Sequence, residues 1–307
     1  MFKKTLTKLQ CIDCQSADLE LKPNTATKRT DDDEVSYGEI RCKECDKSSP
    51  ILAGVALLVD DPEEYIYQHA KGIRRYLDRT FLPKTFHDAY DTALGEIDDS
   101  AVQEDLETER VTALYIINHY LKARDFWNPN ASPAIGELIT KYWDTGPFQI
   151  IANYLKKTSP QHHAMIELGC GTGGLGATLS ANLNSYLGVD DSFSSIAFAR
   201  SLYFAKTESV PVSIPQDLIN GHLSKTVNIP KPEMKDTDVD FIVSNIENPA
   251  LQKNRYTLTA ALNLIDMLFE PTSLPRLQKD LLRDGGIAVQ SSPYIWHENI
   301  SKELRKE

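Results

Sequence analysis

Long apolar stretches are missing first. No run of about 18 apolar residues occurs, the length a membrane-spanning helix needs, anywhere in the 307 residues. The opening segment MFKKTLTKLQ carries lysines but no apolar centre, which is not the pattern of a secretory leader. A cytoplasmic protein with no membrane partner is expected. Basic charge is also short: 33 Lys and Arg stand against 44 Asp and Glu, a formal net charge of −11. There is no broad attraction to a phosphate backbone, so nucleic acid is not the favoured partner. Lys71, Arg74, Arg75 and Arg79 fall at helical spacing as a local exception and read as a solvated basic face. Internal repeats and low-complexity tracts are absent. What remains, 41% hydrophobic and 25% charged residues, is the composition of a soluble globular chain, and its length suggests about two domains.

Cysteine is scarce and concentrated. Of five cysteines, four form two knuckles, Cys11-x-x-Cys14 and Cys42-x-x-Cys45, a spacing that closes a tetrahedral Zn²⁺ site. Disulfides are the competing explanation, and a reducing cytosol disfavours them. A ribbon this small builds little core, so the metal should supply most of its folding free energy and be structural. Between the knuckles, residues 31–34 read as an exposed acidic loop. Cys170 reads as a small packing residue rather than a nucleophile, because no base is placed near it.

Residues 164–200, AMIELGCGTGGLGATLSANLNSYLGVDDSFSSIAFAR, read as strand, glycine turn, helix and second strand with an acidic tip. In an open α/β sheet a ligand crosses the strand ends here, and a carboxylate about 20 residues past the glycines accepts the ribose hydroxyls. Asp190 suits that role, with Asp191 in reserve. Gly171, Gly173 and Gly176 also satisfy the dinucleotide GxGxxG spacing, so glycines alone do not decide the ligand. Glu167 completes an E-x-G-x-G-x-G pattern with Gly169, Gly171 and Gly173. Together with Val189-Asp190 it resembles class I S-adenosylmethionine-dependent methyltransferases. The resemblance implies S-adenosylmethionine as cofactor, Glu167 near its methionine amino group, and the glycine turn along its carboxypropyl chain.

The segment from Leu9 to Pro62, with CIDC, IRCKEC and SSPILAGVALLVDDP, resembles small zinc-ribbon proteins that bind and activate methyltransferases. It departs from them at Ala56, where they usually carry proline. The resemblance implies an activator-like module fused to its catalytic partner. Residues 65–77, 102–121 and 135–155 then show helical periodicity, broken at Pro129, Asn130, Pro133 and Gly146-Pro147. They read as a helical cap, in which Tyr142, Trp143 and Asp144 are either substrate contacts or ordinary packing.

Prolines 211, 215, 230 and 232 mark an insertion before a third strand at 239–243. SNIENP follows it. By resemblance, Asn245 takes the place of the family's acidic contact to the adenine amino group, with Glu247 as the alternative. A fourth strand is expected at 256–263, ending at Asn263, then a helix at 271–282 closed by Asp284-Gly285-Gly286, and a fifth strand at 287–290. ALNLIDML and LLRDGGIAVQSSPYIW resemble methyltransferases with an ALNLLD and SPY-x-W signature, among them the methyltransferase domain of ovothiol-synthesising enzymes. Asp266 is the candidate for orienting or deprotonating the acceptor, with Tyr294 and His297 beside it. Asp266 also reads as a helix cap, and Tyr294 and Trp296 as a packed lid. Class I methyltransferases add a hairpin after the fifth strand, yet only the charged residues 298–307 remain. An open fifth-strand edge calls for cover by a partner chain, an oligomer or an N-terminal segment, unless the chain is truncated.

The expected fold class is α/β: a Rossmann-like class I methyltransferase sheet (161–307) preceded by a zinc ribbon (1–62) and a helical cap (63–160). The leading function is methylation of a small molecule, amino-acid derivative or peptide. An RNA or translation-factor methyltransferase and a non-catalytic cofactor-binding scaffold are the alternatives.

Overall fold

The computed structural model describes residues 1–24, 33–95, 111–126, 133–158, 163–215, 224–234 and 237–296. A 3-10 turn (Lys3–Lys8) leads into an antiparallel meander of β1 (Leu19–Pro23), β2 (Gly38–Cys42), β3 (Ser48–Leu52) and β4 (Val55–Leu58). Ala53 and Gly54 close the β3–β4 hairpin at φ of 50° and 82°, the two-residue geometry whose twist matches its strands.

The chain leaves β4 into α1 (Pro62–Ile73), where the Asp61 side chain accepts from the Glu63 and Glu64 amides and Pro62 opens the helix. The cap continues with α2 (His87–Gly95), α3 (111–120), α4 (Ala123–Phe126), α5 (Pro133–Thr145) and α6 (Pro147–Thr158). Gly146 separates the last two. A Cβ there would lie 1.8 Å from the Tyr142 carbonyl oxygen, so only glycine makes the corner.

The second half alternates strands and helices: β5 (His163–Leu168), α7 (Gly174–Thr178), β6 (Leu183–Asp190), α8 (Phe193–Tyr203), a hairpin of β7 (Ser209–Pro215) and β8 (Ser224–Pro230), β9 (Asp238–Ser244), β10 (Tyr256–Leu262), α9 (Ser273–Leu281) and β11 (Leu282–Ser291). One sheet carries nine strands in the order β1-β2-β3-β4-β9-β6-β5-β10-β11. From β4 to β11 every neighbour is parallel. The Rossmann-like order of the last five strands is third, second, first, fourth, fifth. Alternating side chains feed two cores: Met165, Tyr186, Phe241 and Leu57 on one face, Ile166, Leu187, Ile242 and Leu58 on the other.

The sheet does not break at the ribbon. Residues Ala56, Leu57 and Leu58 of β4 pair with Ile242, Val243 and Ser244 of β9. The N-terminal segment therefore covers the β9 edge, not the β11 edge for which cover was expected. Among the described residues nothing pairs with the outer side of β11. A buried ion pair pins the join: Arg200 on α8 donates to Asp240 on β9 and, at 2.9 Å, to Glu34 of the ribbon. Asp240 also accepts from the Phe2 amide at 2.9 Å and the Thr5 hydroxyl at 2.6 Å. Glu34 is thus a buried-pair partner rather than part of an exposed loop, and residues 31–32 lie outside the described residues.

Three further expectations change. The helix after the glycine turn is one short piece, α7, followed by a 3-10 turn. The proline-marked insertion is the β7–β8 hairpin. The fifth strand already begins at Leu282, because Tyr256 pairs with Leu282 and Leu258 with Ile287 across a register shift, so 284–286 belong to the strand. Among the described residues no helix is long and apolar enough to cross a membrane.

Candidate functional site

The two knuckles fold alike. In each, the first cysteine's carbonyl accepts from the residue four on (Gln15 to Cys11, 3.0 Å; Asp46 to Cys42, 3.1 Å), and its amide donates to the residue five on (Ser16, 2.8 Å; Lys47, 2.9 Å). Gln15 and Asp46 both take φ of 61° to make the turn. All four sulfurs lie within 4.8 Å of one another, with Cys11–Cys45 and Cys14–Cys42 at 3.5 Å. A tetrahedron of 2.3 Å metal–sulfur bonds has edges of about 3.8 Å. Cys11, Cys14, Cys42 and Cys45 thus fit one tetrahedral ion.

A cavity of about 680 Å³ runs across the carboxyl ends of the five Rossmann-like strands. Gly169 after β5, Asp190 at the tip of β6, Asn245 after β9, Asn263 after β10 and Ser291 at the end of β11 all line it. This is the ligand position that a doubly wound sheet dictates.

Glu167, inside β5, is buried and lines the cavity. The Tyr186 hydroxyl donates to its Oε2 at 2.6 Å. Desolvation outweighs that bond and pushes the Glu167 carboxyl up to about 8, so it is protonated near neutrality. Asp190 accepts from the Gly171 amide at 2.7 Å and the Ser192 amide at 2.9 Å, which ties the β6 tip to the glycine turn. Burial, and then the neighbouring Asp191 charge, raise it to about 7. Asp191 also lines the cavity, and its carbonyl accepts from Tyr65 at 2.5 Å.

The glycines divide. Gly169, at φ of 69°, faces the cavity. Gly171 and Gly173 are covered: a Cβ on Gly171 would meet His119 at 3.3 Å, and one on Gly173 would meet Phe241 at 2.8 Å. Their positive φ of 51° and 82° bends the turn beneath α3, so close packing sets the requirement there. Cys170 is buried in the same turn.

Asn245 and Glu247 are exposed at the cavity, and both carry internal bonds. Asn245 Oδ1 accepts from the Glu247 amide at 2.9 Å, and Glu247 Oε1 from the Glu270 amide at 2.9 Å. Asn263 takes φ of 56°, and its Oδ1 accepts from the Ser291 hydroxyl at 3.0 Å. Asp266 is buried and does not line the cavity. Its Oδ2 accepts from the Ile295 amide at 2.9 Å, which tethers the segment beyond β11. Tyr294 is exposed on that segment and away from the cavity wall. His297 lies outside the described residues. Tyr142 and Trp143 line the cavity, whereas the Asp144 side chain accepts from the Ala123 amide at 3.0 Å.

Comparisons with known proteins give structural likeness only. No family model matches, and no curated protein matches by sequence. Among solved structures, the chain is similar to the YcgJ protein of Bacillus subtilis at 14% identity and a TM-score of 0.36, over 50% of this chain and 55% of that one. It is similar to CalS10 of Micromonospora echinaspora, an amino pentose methyltransferase solved with S-adenosylmethionine, at 14% and 0.33, over 48% and 50%. A third likeness is to the complex of the Haloferax volcanii Trm112 methyltransferase activator with a proposed methyltransferase, at 15% and 0.35, over 58% and 64%. The matched regions span between half and two thirds of those chains.

Helix α3, read from sequence only as part of a cap, brings Tyr115 and His119 to the cavity, and α1 brings Tyr65 and His69. Tyr65 and His69 stack at 4.1 Å, and His119 stacks on Phe148 at 5.6 Å. The spacing of four within 65–69 and 115–119 marks one helix face. Which face meets the cavity depends on tertiary packing.

Proposed function

We propose that the chain is an S-adenosylmethionine-dependent methyltransferase acting on a small molecule, amino-acid derivative or peptide. The composition of the cavity wall carries this reading. Among the described residues no Lys or Arg lines it, while Glu167 and Asp190 do. A dinucleotide's pyrophosphate would want cationic side chains or the start of a long helix, and α7 has five residues. A zwitterionic amino-acid tail and a ribose diol suit carboxylates. Glu167 would accept from the ammonium, Asp190 or Asp191 from the ribose, and Asn245 or Glu247 would border the base.

S-adenosylmethionine supplies an electrophilic methyl group. The protein's part is to hold a nucleophile in line with it, and fixed geometry provides most of such a rate gain. Tyr142, Met267 and Phe269 line the cavity although they are 59%, 54% and 73% exposed, and the exposed acids Asp60, Asp61, Glu64 and Glu247 line it too, so its mouth is open, part apolar and part acidic. That rim suits an acceptor with an apolar body and offers nothing to a phosphate backbone. Asp266, which does not line the cavity, would hold the segment beyond β11 through the Ile295 amide. We assign Zn²⁺ to the four-cysteine cluster, in a structural role.

Calorimetric titration of the zinc-loaded chain with S-adenosylmethionine and S-adenosylhomocysteine tests the cofactor. Micromolar binding that is lost in Asp190→Ala supports the reading. Absence of binding to both ligands at millimolar concentration overturns it and leaves a scaffold.

A further inference from the structure

His119 is held more firmly than a cap residue requires. Its Nδ1 takes two contacts from the glycine turn, the Gly174 amide at 3.2 Å and the Thr172 hydroxyl at 2.8 Å. Because the Gly174 N–H points at Nδ1, that nitrogen accepts, and the ring proton resides on Nε2. One face of the ring stacks on Phe148 at an interplanar angle of 21°. On the turn side, a Cβ on Gly174 would lie 2.4 Å from the His119 side chain, so the fit leaves no slack. The Tyr120 hydroxyl adds a bond to the Thr172 carbonyl at 2.5 Å, fastening α3 to the same turn. Burial lowers the His119 imidazole to about 4, which keeps it neutral.

The result is a pre-oriented N–H donor on a residue of the cavity wall, where no Lys or Arg stands among the described residues. Resting on the cofactor reading above, we propose that His119 Nε2–H binds the carboxylate of the cofactor's amino-acid tail. Glu167, which lines the same cavity and which the resemblance puts near the methionine amino group, would take the ammonium of the same tail. A neutral donor also meets the chemistry of the site. An imidazolium would lose the Gly174 bond and would repel the ammonium and sulfonium charges beside it.

Truncating the ligand and the residue separately tests this assignment. S-adenosylhomocysteine carries the carboxylate, and 5′-methylthioadenosine lacks the whole amino-acid tail. In His119→Asn the side-chain oxygen can still accept from the Gly174 amide, but no donor reaches the Nε2 position. The expected outcome is about tenfold weaker S-adenosylhomocysteine binding with 5′-methylthioadenosine affinity unchanged within about twofold, the loss of one hydrogen bond to a charged group. His119→Gln, whose amide nitrogen approaches the Nε2 position, should recover most of the loss. Equal weakening for both ligands, or weakening for neither, overturns the assignment while leaving the cofactor reading intact. Failure of the unmodified protein to bind S-adenosylhomocysteine overturns both.

Discussion

The Tyr186 hydroxyl donates to Glu167 Oε2 at 2.6 Å, a diagonal bond between adjacent parallel strands in which Tyr186 pairs with Met165 and Glu167 with Gly188. This bond opposes burial without overcoming it, and Glu167 is left protonated at neutral pH. A ligand ammonium beside the carboxylate would reverse that balance. Binding of S-adenosylhomocysteine at pH 7 should therefore release a proton, and affinity should rise from pH 6 to pH 8. Titration in two buffers of different ionisation enthalpy reads the proton directly. Heats that do not depend on the buffer would refute the linkage. The same raised value has a stability consequence. The folded state holds the proton between about 4.5 and 8 where the unfolded chain has lost it, so stability without ligand falls as pH climbs through that window. Glu167→Gln should flatten the slope.

The Arg200, Asp240 and Glu34 cluster makes a second prediction. Arg200 also lies over the rings of Phe2 and Phe204, at 5.7 and 5.0 Å. Arg200→Leu would leave Asp240 charged and buried, with its guanidinium partner gone. We expect a loss of about 3–5 kcal/mol, measured by urea unfolding. A loss below about 1 kcal/mol would mean that β4 pairing and the Phe2 and Thr5 bonds to Asp240 hold the ribbon to the sheet without help from Arg200.

Metal removal should reach beyond the ribbon. Because β4 hydrogen-bonds to β9 within one sheet, unfolding the knuckles exposes the β9 edge. Treatment with a strong chelator, or Cys14→Ser, should lower the unfolding temperature and speed amide exchange in 239–243 as well as in 38–58. Faster exchange confined to the ribbon would contradict this coupling.

Gly174→Ala tests how tightly α3 seats on the turn. The added methyl would meet His119 Cβ at 2.4 Å, so α3 must shift. Overpacking of this kind costs about 1–3 kcal/mol. Exchange in 111–120 should quicken more than in β5, and S-adenosylhomocysteine affinity should fall. An unchanged exchange pattern would show that α3 accommodates the methyl without moving.

Short-range patterns in the chain were enough to establish several features. Two C-x-x-C knuckles form one cluster because each knuckle is a local turn with its own hydrogen bonds. Strands β5, β6, β9 and β10 were legible from short apolar runs, Gly169 and Asp190 from their places at strand ends, and Glu167 from the E-x-G-x-G-x-G pattern. Three relationships were decided only by tertiary packing: β4 adding to β9, Glu34 pairing with Arg200, and α3 laying His119 over the turn. Each joins residues at least 52 apart, where periodicity carries no information about which face meets which partner. Gly171 and Gly173 show the difference most directly. Their positive φ was implicit in the glycine pattern, but the neighbour that makes glycine necessary is His119 for one and Phe241 for the other, and those contacts exist only once the helix and the sheet have packed.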